Sequence, residues 1–436
     1  MVLAIQITGA YAQNPGIASI NRFSEENSEP LEKLYRQLHQ NPELSGQEEK
    51  TSAIMAGELK SLGFEVTEKL GGHSLVGIYK NGEGPVVMVR TDMDALPVEE
   101  KTGLPYASKV RGIDATGKDV GVMHACGHDV HMTVFVGTAR ALIEAKSHWK
   151  GTLAMVAQAA EETGVGADLL FKAGLYEKII KPDYALALHA NPYLPAGYIG
   201  YREGALMASV DMVDVTVYGH GGHGAAPHTT KDPVVLSAQM ILAFQTIVSR
   251  EINPLDPAVV TVGSVHGGNV HNVIPDEVKL QLTLRAYSRE VRDHLVASLK
   301  RICKNMAITA GIPEDKLPVV TLRDPHMPAT VNDPALAQRL ATAFRGSFGA
   351  DKVTEMPPYM FGEDFALFGL QKQKVPICMF WLGAVDPANI KKAKEEGKDL
   401  PALHSPYFAP LPEPTIKAGV RAMGTAVFTL FNNRVN

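Results

Sequence analysis

Three cysteines in 436 residues are too few for a disulfide framework. Tryptophan is nearly absent, with two residues. No apolar run reaches the ~18 residues expected of a membrane-spanning helix, and there is no internal repeat or low-complexity tract. The chain has no excess of positive charge: its formal net charge of −5 argues against nucleic acid as the main partner. Three catalytic signatures are also missing. There is no His-Glu-x-x-His helix, no Gly-x-x-x-x-Gly-Lys phosphate loop and no Gly-x-Ser-x-Gly elbow. Gly219–Gly224 matches the dinucleotide fingerprint, but Ala225–Asp232 separates it from the next helix, so no helix N-terminus would meet a pyrophosphate.

The N-terminus lacks the positive region of a signal peptide, since the first basic residue is Arg22. Residues 1–21 therefore read either as a tail or, with Ala10-Tyr11-Ala12 as cleavage site, as a truncated signal peptide. The protein is expected to be cytoplasmic in the first case and exported in the second.

What the chain does have is Met123-His124-Ala125-Cys126-Gly127-His128-Asp129-Val130-His131, a thiol, three imidazoles and a carboxylate in nine residues. Cys126 and His128 flank one glycine, so both can turn toward one ion. Thiolate and imidazole are the donors that hold zinc, nickel and similar divalent metals. The expected strand Thr152–Ala159 runs into Glu161-Glu162. One carboxylate of such a pair can ligate a metal while the other takes a proton from water; an exposed acidic turn is the bland alternative. His189 closes the expected strand Tyr184–His189, and His404 sits in a Pro-flanked loop. Each fits a structural histidine when taken singly. Together Cys126, His128, Glu162, His189 and His404 are enough ligands for two adjacent ions.

Periodicity predicts an α/β fold. Helices are expected over Ser28–Gln40 and from a Ser45 cap to Leu62, alternating later with strands in a mainly parallel sheet. From about Ser209 the order becomes β-α-β-β-α-β, a ferredoxin-like unit. The expected division is a discontinuous metal-binding catalytic domain, 22–207 and 325–436, with an inserted lid or dimerisation domain, 208–324.

Leu38-His39-Gln40-Asn41-Pro42-Glu43-Leu44-Ser45, Arg90–Pro97, the Cys126 cluster, Glu161-Glu162, His189, Gly222-His223-Gly224 and Asn272-Val273-Ile274-Pro275 occur in consistent order. From about Pro30 onward the chain resembles the aminoacylase/carboxypeptidase metallohydrolases. It looks most like their branch of hippurate, N-acyl-amino-acid and auxin-conjugate amidohydrolases. The resemblance implies two divalent ions per subunit (zinc, manganese or nickel), Glu161 as general base, and a lid through which a homodimer forms. It also implies an N-acyl amino acid substrate. Where peptidase branches have His-x-Asp, this chain has Asp92-Met93-Asp94, so Asp92 and Asp94 read as carboxylates that orient ligands. His223 is a candidate to stabilise the oxyanion. Arg285 is placed to grip a substrate carboxylate, or is a surface arginine; Asn269 and Asn272 would add amide contacts. Three other readings compete: a metal-dependent dipeptidase or carboxypeptidase, a thiol hydrolase with Cys126 as nucleophile, and a non-catalytic metal-binding protein.

Overall fold

The computed structural model describes residues 14–432. The chain divides into two units: one runs through Gly204 and resumes over Val331–Pro357 and from Leu367, the other comprises Ala205–Thr330 and Pro358–Ala366.

The first unit is built on an eight-stranded sheet. Its order is Glu65–Thr67, Leu75–Lys80, Thr152–Gln158, Val86–Asp92, Tyr184–Pro195, Ile377–Val385, Ile199–Tyr201, Val353–Glu355. The central pairings are parallel, as expected for an α/β sheet. Asp92 lies opposite Gln158 in that register, so Asp92–Asp94 and the Ala159–Glu162 turn leave the sheet at the same carboxyl edge, where such folds place their ligands. The helices His128–Glu144 and Pro412–Asn432 are buried along almost their whole length. A Cβ on Gly137 would lie 2.5 Å from Val420 and one on Gly419 2.4 Å from Val134, so each glycine lets the other helix approach.

Several expectations need correction. The N-terminal tail was expected to reach residue 21. Instead Pro15–Glu26 is a helix, capped by the Asn14 side chain, and it buries Ile17, Ile20 and Phe23 in the core. Its helical spacing of apolar residues is what the tail reading overlooked. The expected cleavage segment Ala10-Tyr11-Ala12 lies outside the described residues. Ser45 is not a cap: that helix is Glu49–Ser61, and the Ser45 hydroxyl donates to Asp94 instead (2.6 Å). The strand carrying His189 runs on to Pro195, because Ile377–Val385 pairs with it beyond that point, with Gly383 opposite Asn191.

The second unit has a four-stranded antiparallel sheet ordered Ala258–His266, Glu277–Ala286, Val210–Tyr218, Val319–Met327. Alternate residues Val213, Val215, Val217 and Leu280, Leu282, Leu284 pack against the helices Pro233–Thr246 and Arg289–Thr309. This is the split β-α-β-β-α-β arrangement. The unit exceeds the expected 208–324, and its extra stretch Pro358–Ala366 was expected in the catalytic domain. The Ala208 N–H donates to the carbonyls of Tyr359 (3.1 Å) and Phe361 (3.0 Å), and this long-range pairing draws the stretch in. Among the described residues Pro233–Glu251 is the one helix long and apolar enough to cross a membrane by length and composition. Leu236, Met240, Phe244 and Ile247 spend one of its faces on the unit's own core, while Val234, Val235 and Leu242 remain exposed.

Candidate metal centre

The Cys126 loop enters the helix His128–Glu144 through Gly127, whose φ is +85°. A Cβ there would also sit 3.1 Å from the Ala190 side chain and 3.4 Å from Phe408, so both conformation and space select glycine. The turn directs Cys126 and His128 inward, and both are buried. His189 comes from the neighbouring strand. His404 comes from a distant loop with φ +66°, its N–H held by the Ala125 carbonyl at 2.9 Å.

The Cys126 sulfur is 3.5 Å from His189 Nε2 and 3.3 Å from His404 Nε2. Glu162 lies 3.5 Å from His404 Nε2 and 3.8 Å from His128 Nε2; Glu161 lies 3.9 Å from His128 Nε2. Ligand atoms of Cys126, His128 and His189 all fall within 4.8 Å of one another, as do those of Cys126, Glu162 and His404. All five expected ligands are therefore brought together, with Cys126 common to both groups.

A polar frame holds them. His128 Nδ1 donates to the Asp94 carbonyl (2.8 Å), and the Asp94 carboxylate accepts the Glu162 N–H (2.9 Å). Asp92 accepts from His131 Nδ1 (2.7 Å) and from Arg90 (2.7 Å), while His131 Nε2 accepts the Ala190 N–H (2.8 Å). Asp94 thus hydrogen-bonds the candidate ligand His128, while Asp92 hydrogen-bonds His131 and lies 3.8 Å from His128 Nδ1. Behind them His39 sits between Asp129 (2.6 Å) and Glu100 (3.1 Å). Sequence reasoning assigned no role to His131, Asp129, Glu100 or Glu48, and read Ser45 only as a helix cap. The closeness of Asp129 and His131 to the cluster was the one signal available.

The electrostatics ask for a cation. Burial, Glu162, Glu161 and Asp92 push the Cys126 thiol well up. Burial, with Asp94 and Asp92, raises Glu162 to about 7 against the pull of His128. Burial disfavours charge on His128, but Asp92, Asp94 and Glu162 outweigh it and raise its pKa to about 10. Burial and His131 keep His189 neutral. His128 Nε2 and Glu162 Oε1 are buried with no hydrogen-bond partner, an expensive condition unless an ion accepts their lone pairs. The donor set of thiolate, imidazole and carboxylate fits zinc-like metals.

The remaining candidates belong to the second unit. His223 is exposed on the short strand Gly222–His223 paired with Val273–Ile274. Its Nδ1 accepts the Ala225 N–H (3.0 Å), which leaves the proton on Nε2. Asn269 and Asn272 are exposed, and the Asn272 carbonyl accepts the Gly224 N–H beside His223 (2.8 Å). Arg285 is half-buried against Thr283 Oγ1 (3.3 Å) and the Met360 carbonyl (3.5 Å), contacts that leave its charge unneutralised.

Buried Cys126, His128 and His189 with half-buried Glu162 and exposed His404, beside the second carboxylate of Glu161, form the donor set of a metal-dependent hydrolase. The profile of Peptidase family M20/M25/M40 matches residues 88–406, and the chain belongs to that family. It is 37% identical to an N-acetyldiaminopimelate deacetylase of Limosilactobacillus fermentum, over 84% of this chain and 92% of the relative. It is 36% identical to a thermostable carboxypeptidase of Saccharolobus solfataricus, over 80% of this chain and 84% of the relative. A solved dinuclear metal binding peptidase of Bacillus subtilis superposes with a TM-score of 0.75 at 28% identity, covering 94% of this chain and all of that one.

Proposed function

We propose that this chain hydrolyses the amide bond of N-acyl amino acids, hippurate-like or related conjugates. The observation that carries the reading is the buried Glu161 carboxylate next to the joined ligand groups of Cys126, His128, His189, Glu162 and His404. Those five residues would hold two divalent ions, zinc, manganese or nickel. When bound, the ions supply Lewis acidity for the amide carbonyl and increase the acidity of water. Glu161 takes a proton from the attacking water at its carboxylate and returns it to the leaving nitrogen. Asp94 orients His128 and the Glu162 backbone, keeping both donors aimed inward. From the second unit, His223 offers Nε2–H to the oxyanion, Arg285 pairs with the free carboxylate of the amino-acid half, and Asn269 and Asn272 add amide contacts. The exposed stripe Val234, Val235 and Leu242 is the face we assign to a homodimer, in which His223 serves the partner's site.

A metal-dependent carboxypeptidase or dipeptidase is the second reading, supported by the similarity to the archaeal carboxypeptidase. The thiol-hydrolase reading is disfavoured by the raised Cys126 thiol, which leaves little nucleophilic thiolate without a cation. The test is turnover of hippurate and N-acetyl amino acids against dipeptides with a free α-amine, using metal-loaded protein. We expect kcat/KM at least about tenfold higher for the acylated substrates. Chelation should stop turnover, and a divalent ion should restore it. Preference for dipeptides would select the second reading; chelator-resistant turnover would remove the metal mechanism.

A further inference from the structure

Glu48 is fully buried, and nothing in the mechanism above uses it. Its Oε1 accepts two backbone N–H groups, from Gly46 and from Ala160, each at 2.8 Å. Ala160 directly precedes Glu161 and has φ +56°, a left-handed conformation that a residue with a Cβ keeps only when its surroundings enforce it. The other side of Ala160 is held too, its carbonyl accepting from the Gly166 N–H (3.0 Å) and the Thr163 hydroxyl (3.2 Å). One residue past Glu161, the Glu162 N–H is bound by Asp94 (2.9 Å). Two buried carboxylates thus grip the backbone on either side of Glu161, Glu48 before it and Asp94 after it. A charge-assisted acceptor is a strong way to hold a strained turn.

We propose that Glu48 is a positioning residue: its carboxylate locks Ala160 in the left-handed conformation and so sets the direction in which Glu161 points. This rests on the reading of Glu161 as general base. Burial, then Asp94, pushes the Glu48 carboxyl up to about 7, but Oε1 accepts hydrogen bonds in either protonation state. An amide of the same length therefore replaces it, while a shorter or apolar side chain does not.

The test compares metal-loaded Glu48→Ala, Glu48→Asp, Glu48→Gln and Glu161→Gln proteins in metal content, thermal midpoint, kcat and KM, on the best acyl-amino-acid substrate. For Glu48→Ala and Glu48→Asp we expect metal content retained, KM within about twofold, and kcat reduced about 10–100-fold, as for a misaimed catalytic group. Glu48→Gln should return kcat to within about threefold of the parent. If Glu48→Ala does not fold, Glu48→Asp against Glu48→Gln decides the matter. Unchanged kcat in Glu48→Asp, a loss that follows metal loss, or a Gln variant as impaired as Asp would each overturn the positioning role. An active Glu161→Gln protein would instead overturn the base assignment. An inactive, metal-replete Glu161→Gln beside a fully active Glu48→Asp would remove the positioning role alone.

Discussion

At the residue scale, each histidine of the centre is defined by what its far nitrogen does. His128 Nδ1 is committed to the Asp94 carbonyl and His189 Nδ1 to the Ala190 carbonyl, which leaves Nε2 of each as a lone-pair donor. In His131 both nitrogens are taken, by Asp92 and the Ala190 N–H, so it braces the strand edge rather than ligating. The two adjacent glutamates part in the same way. Glu162 has a buried oxygen without a partner and lies near both His128 and His404, whereas Glu161 approaches His128 alone among those two. Substitution should separate them. Glu161→Gln should keep its metal while kcat falls by roughly two or more orders of magnitude, and Glu162→Gln should lose metal on dialysis, both read by metal analysis alongside kinetics. If the two variants kept full metal and full activity, these roles would be wrong.

At the scale of elements, the buried trio His39, Asp129 and Glu100 ties the helix Ser28–Gln40 to the helix that carries His128. Burial opposes a charge on His39, but Asp129 and Glu100 outweigh it and raise its pKa from 6.5 to about 9. A group whose folded pKa is raised contributes stability that is fully present below its unfolded pKa and lost as pH climbs through the folded one. Unfolding free energy should therefore decline between 6.5 and about 9. Denaturant titrations of the parent and of His39→Gln across that window check this; the variant should be less stable at the acidic end and show a flatter slope. Equal slopes would mean that His39 does not carry the proton. His39 was visible in the sequence only as part of a motif. Its partners lie 61 and 90 residues away, a separation about which local periodicity says nothing.

At the scale of the whole molecule, the proposed ligands and Glu161 belong to one unit and His223 to the other. The proposed homodimer makes a definite prediction. Glu161→Ala and His223→Ala proteins should each lose about two or more orders of magnitude in kcat. Refolded together, they should regain activity, since mixed dimers contain one site with both residues intact. A stable mixed dimer without recovery would place His223 in the site of its own chain. A monomeric, fully active enzyme would remove the shared site.

By itself the sequence determined the class of fold and marked the candidate donors. Cys126-Gly127-His128, the Glu161-Glu162 pair and the alternation of strands with helices are local patterns, and local patterns survive without knowledge of distant contacts. The split β-α-β-β-α-β order of the second unit was legible for the same reason. Tertiary structure decided everything that depends on distant segments meeting. It carried the His189 strand past its expected end through pairing with Ile377–Val385, turned Ser45 from a cap into a partner of Asp94, and drew Pro358–Ala366 into the second unit. It also placed Glu48 on the peptide before Glu161, 112 residues away. Hydrogen bonds across such separations are selected by burial, where an unpaired polar group is costly, and burial is a property of the folded chain.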